Sequence, residues 1–95
     1  MNQSKAWHNA QSKALFTAIS KLKIEAETAK FFRDLCTLEE IEEMARRWQA
    51  VRLLDNGQPY RKIAEKTGLS TTTVTRVAHW LNHGEGGYPL ILKRI

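Results

Sequence analysis

Apolar positions recur at three- and four-residue spacings along most of the chain, and no stretch alternates as a half-buried strand does. The stripe Trp7, Gln11, Ala14, Leu15, Ala18, Ile19 and Leu22 predicts a first helix from residue 4 to about residue 22. Ala29, Phe31, Phe32 and Leu35 predict a shorter helix over residues 25–35. Thr37-Leu38-Glu39-Glu40 has the form of a capping box, with Thr37 capping backbone amides and Glu40 reaching back. Behind it, Leu38, Ile41, Met44, Ala45, Trp48, Val51 and Leu54 predict a long helix that stops at Asn56-Gly57. Pro59 stands where a further helix can begin, because an N–H is not needed there. After residue 82, three glycines among residues 83–87 predict a loop, and residues 88–95 form an apolar tail with a basic end. The expected fold is all-α, one domain over residues 1–95. Residues 4–57 are the helical scaffold, 58–83 a separate head, and 84–95 the loop and tail.

Residues 60–81 carry the most specific pattern, that of a helix-turn-helix. Ala64 is small where a second helix must cross the first closely, and Gly68 can take the left-handed conformation that ends a helix. Leu69 and Val74 supply apolar plugs on either side of the turn, and Ser70 is an N-cap for the helix over residues 71–82. In this motif the second helix lies in the DNA major groove with its N-terminal residues at the base edges.

Charge sharpens this picture. Residues 1–36 carry +3, residues 37–57 carry −2 and residues 58–95 carry +4, so the helix-turn-helix region is basic and the segment before it acidic. That distribution suits double-stranded DNA as partner. The lone Cys36 forms no internal disulfide and fits a reducing cytoplasm. No apolar run approaches a membrane span, and the polar first residues are not a signal peptide, so a cytoplasmic, nucleoid-associated bacterial protein is expected. Trp7, Leu15, Ile19, Phe31, Phe32, Trp48, Leu53 and Leu54 are more large side chains than so small a domain buries alone, which points to a homodimer.

Four pieces of the chain carry a resemblance: Thr37-Leu38-Glu39-Glu40, the run Arg47-Trp48-Gln49-Ala50-Val51-Arg52-Leu53-Leu54, Asp55-Asn56-Gly57, and the helix-turn-helix ending Thr73-Val74-Thr75-Arg76. With these the chain resembles the Trp repressor superfamily over residues 10–83, and within it the YerC/YecD-type Trp-repressor-like proteins. The resemblance implies an intertwined all-helical homodimer and a sequence-specific transcriptional regulator, a repressor. It also implies an effector site. The two arginines that bracket tryptophan in the tryptophan-binding members fall on Arg47 and Arg76. Those members have glycine just after the second arginine, where this chain has Val77, and Val77 is expected to fill the space an indole needs. Tryptophan is therefore not the expected corepressor, and any effector would be a different ligand. The plainer reading of the two arginines is one on a phosphate and one paired with a carboxylate.

Ser70, Thr71, Thr72 and Thr75, with Arg76, are the groove-facing side chains expected to bond phosphates or bases, Ser70 serving first as a cap. Thr73 faces inward or is shared. Arg61, Lys62 and Lys66 on the first helix fit phosphate contacts, against the alternative of a plain solvated face. His79 and His83 stand four apart with Glu85 nearby, but a metal needs a further ligand in a known place, and histidine at a helix C-terminus is favoured by the dipole alone; no metal is expected. Residues 84–87 lack the Lys-Ser/Thr of a phosphate loop. No paired carboxylates or Cys–His arrangement suggests an enzyme, and no cofactor is implied. Two alternatives stand beside the regulator: a helix-turn-helix retained from a mobile element, and a helical protein-interaction module without DNA binding.

Overall fold

The computed structural model describes residues 6–95, which form six α-helices and no strand. These are α1 (Ala10–Ile19), α2 (Glu25–Leu35), α3 (Leu38–Asp55), α4 (Tyr60–Thr67), α5 (Thr71–His83) and α6 (Gly87–Leu92). The chain divides into two compact units, Met1–Thr37 and Leu38–Ile95.

In the first unit α1 is shorter than its apolar stripe. Residues 4 and 5 lie outside the described residues, and the helix begins only at Ala10. Asn9 sets that limit. Its side chain accepts the Ser12 N–H at 2.9 Å while the Ser12 hydroxyl oxygen accepts the Asn9 N–H at 2.8 Å. The same hydroxyl donates to the Trp7 carbonyl oxygen at 2.6 Å. Short polar side chains that bond nearby backbone compete with helix continuation and favour caps, so the periodic signal at Trp7 loses to local chemistry. Trp7 stands ahead of the helix, its ring 5.9 Å from that of Phe16 in an edge-on contact. Downstream, the Ser20 hydroxyl donates to the Thr17 carbonyl oxygen and Leu22 falls beyond the end of the helix. α2 occupies the expected span, with Glu25 and Glu27 in its first turn and the Glu27 carboxylate accepting the Lys23 N–H at 2.9 Å. Neither α1 nor α2 contains a buried residue.

The second unit contains the core. Ala50 and Val51 of α3, Ile63 of α4, Leu69 of the turn, and Val74 and Val77 of α5 form one buried cluster. Ile63, Val51, Val74 and Val77 are wholly enclosed. Three helices thus meet at β-branched side chains with few rotamers to lose, an arrangement that fixes the angle between α4 and α5.

Residues 84–95 depart from the expected loop and tail. A bend covers residues 84–86, and the chain re-enters a helix, α6, at Gly87. Pro89 sits in its first turn, where a missing N–H costs nothing. Tyr88 and Leu92, four apart and so on one face, pack against the core, and the Tyr88 ring lies 6.1 Å from that of Trp48. No described helix is long and apolar enough to cross a membrane.

Candidate nucleic-acid interface

The α4–turn–α5 segment is built around Gly68 and one buried hydroxyl. Gly68 has φ +78°, the left-handed conformation that closes α4, and its N–H donates to the Ala64 carbonyl oxygen at 2.9 Å. Thr67 is the buried polar side chain at this corner. Its hydroxyl donates to the Ile63 carbonyl oxygen at 2.7 Å and accepts the Leu69 N–H at 3.2 Å. One side chain thereby ties the end of α4 to the chain leaving the turn, and Leu69 is held against the core. Sequence reasoning misses Thr67, since neither spacing nor composition marks a threonine as buried.

Ser70 then caps α5, its Oγ accepting the Thr73 N–H at 3.1 Å and donating to Thr73 Oγ1 at 3.0 Å. Thr73 is half-buried, shared between the cap and the core side of the helix. Because Val74, Val77 and Ala78 point inward, Thr71, Thr72, Thr75 and Arg76 lie on the exposed face. The Thr75 hydroxyl donates to the Thr71 carbonyl oxygen at 2.9 Å. On α4, Ile63 and Thr67 are the buried positions, which leaves Arg61, Lys62 and Lys66 exposed on the other side. The structure thus brings the hydroxyls, Arg76 and the three α4 cations onto the outer faces of one helix-turn-helix. The α5 N-terminus adds its partial positive charge.

The two arginines differ. Arg76 is exposed, whereas Arg47 is half-buried and its Nε is enclosed without a hydrogen-bond partner. The carboxylates of Glu42 and Glu43 lie within 3.6 and 3.9 Å of the neighbouring Arg46 instead. A buried N–H donor suits an anionic group, and Val77, the residue after Arg76, is wholly enclosed in the core.

At the far end of α5 the His79 and His83 rings lie 5.2 Å apart. They line an open cleft of about 650 Å³ with Trp80, Gly84, Glu85, Gly87 and Tyr88. Among the described residues no group of three or more His, Cys, Asp or Glu side chains is placed to hold a metal ion.

A three-helix core presenting a short turn and a polar, cationic outer face defines a helix-turn-helix protein of the all-α class. The chain belongs to the Trp repressor family: the family model described as Trp repressor protein matches residues 10–95. It is 43% identical over 81 residues to the uncharacterized protein YerC of Bacillus subtilis, a match covering 85% of this chain and 78% of YerC. The crystal structure of a TrpR-like protein from Eubacterium eligens superposes with a TM-score of 0.87 at 38% identity, covering 95% of this chain and 93% of that one. A Staphylococcus aureus protein provisionally assigned as a Trp repressor gives a TM-score of 0.86 at 36% identity, with 99% and 93% covered. Membership of this regulatory, non-enzymatic family suggests a DNA-binding regulator.

Proposed function

We propose that the protein is a sequence-specific DNA-binding transcriptional repressor that works as a homodimer and does not answer to tryptophan. The observation that carries this reading is the exposed hydroxyl and cation face of α4 and α5, held rigidly by the enclosed Val51–Ile63–Val74–Val77 core. Arg61, Lys62 and Lys66 engage phosphates, while Thr71, Thr72, Thr75 and Arg76 meet the major-groove edges. Hydroxyl-rich readout favours water-mediated and shape-based specificity over bidentate guanine contacts. The homodimer follows from the lack of any buried residue in α1 and α2, whose unit leaves Trp7, Phe16 and Leu35 47%, 42% and 49% exposed. Two recognition helices about 34 Å apart then reach successive grooves of a two-fold site.

Selection of bound sequences from a random duplex pool, with and without amino acids added, tests this. Enrichment of a two-fold-symmetric sequence, unaffected by tryptophan, is the expected result. Recovery of an unenriched pool with no salt-dependent duplex binding would leave the helical protein-interaction module as the better reading.

A further inference from the structure

Within the DNA-binding reading, on which this inference rests, we propose that Thr75 reads thymine through its methyl group and not by donating a hydrogen bond from its hydroxyl. The hydroxyls of residues 70–75 are not equivalent. Ser70 uses its hydrogen on Thr73 Oγ1 and a lone pair on the Thr73 N–H. Thr75 uses its single hydrogen on the Thr71 carbonyl oxygen at 2.9 Å. Among the described residues, Thr71 and Thr72 have no side-chain hydrogen bond and keep a free donor each.

A hydroxyl carries one hydrogen, so Thr75 has none left for guanine N7 or O6, adenine N7 or thymine O4. The bond also draws Oγ1 back against the helix wall, toward the turn before it. Cγ2 is the terminal heavy atom left without a partner on the exposed Thr75, in the second turn of α5 and beside Arg76. In the major groove the C5-methyl group belongs to thymine alone among the four bases. Methyl against methyl is a contact that separates T·A from C·G without any hydrogen bond. The neighbouring Thr71 and Thr72 are left for acceptors on phosphate or base.

The test uses the duplex enriched from the random pool, made either with dT or with dU at every thymine position. It is titrated with wild type, Thr75→Val (the same shape without the hydroxyl) and Thr75→Ser (the hydroxyl without the methyl). Thr75→Ser is expected to bind the dT duplex roughly fivefold more weakly than Thr75→Val does, the size of effect that one methyl group left in water produces. Replacing dT by dU should weaken wild type by a similar factor and the Ser variant less, so that the two losses are coupled. Equal dU penalties for wild type and Thr75→Ser, or a Ser variant that outbinds the Val variant, would overturn the proposal while leaving sequence-specific binding intact. Failure to enrich any duplex would overturn the DNA-binding reading itself, and this inference with it. Circular dichroism checks that all three proteins carry the same helix content.

Discussion

Two side chains, Thr67 and Val77, decide how the corner between α4 and α5 behaves. Thr67→Val keeps the shape but leaves the enclosed Leu69 N–H without its acceptor, and a buried donor without a partner costs about 1–3 kcal/mol. Urea denaturation is expected to show that loss, with Thr67→Ser retaining most of the stability. Gly68→Ala acts differently, because a Cβ there meets nothing within 4 Å and the cost is conformational, about 1–2 kcal/mol for an L-residue at φ +78°. Val77 governs the effector question. Calorimetric titration of wild type with L-tryptophan is expected to give no saturable heat. Val77→Gly should gain some affinity for indole-bearing ligands if added volume alone is what excludes them. The inward placement of Val77, the turn at Gly68 and the cap at Ser70 are legible in the sequence, because each rests on a neighbour within four residues. The role of Thr67 is not. Its hydroxyl has local partners, but no spacing or composition in the sequence marks it as buried.

At the scale of elements, the proposed function divides the work of binding between α4 and α5, and the division is measurable. Arg61→Ala or Lys62→Ala is expected to weaken all duplexes alike and to flatten the dependence of log affinity on log salt by about one unit per phosphate no longer engaged. Thr72→Ala is expected to cost roughly 1–3 kcal/mol on the preferred sequence and little on random DNA. Equal losses on both would show that α5 does not discriminate. The limits of α2 match expectation, and α4 lies between Pro59 and Gly68, where the local start and stop signals stand. The period of α1 overstates its length: the Asn9–Ser12 reciprocal caps interrupt a stripe that runs on through Trp7. No sequence signal announces α6 as a helix. Six residues containing a glycine and a proline show no period, and the helix draws on the packing of Tyr88 and Leu92 against residues far away in the chain.

For the whole molecule the decisive contrast is between a second unit with an enclosed core and a first unit whose helices bury no side chain. Two helices of 10 and 11 residues without buried side chains are not expected to hold together in water on their own. Sedimentation at micromolar concentration is expected to show a dimer whose helix content falls on dilution together with its mass. A folded, stable monomer would remove the argument for assembly through α1 and α2. The exposed aromatic residues of that unit carry a further consequence for the cell. If two chains must meet before either is complete, operator occupancy follows the square of the number of chains wherever single chains dominate. A tenfold fall in copy number then lowers active protein about a hundredfold. A dimeric repressor of the proposed kind would then release its operator abruptly when cell growth outpaces its synthesis, which would make the dosage of its gene a timing device.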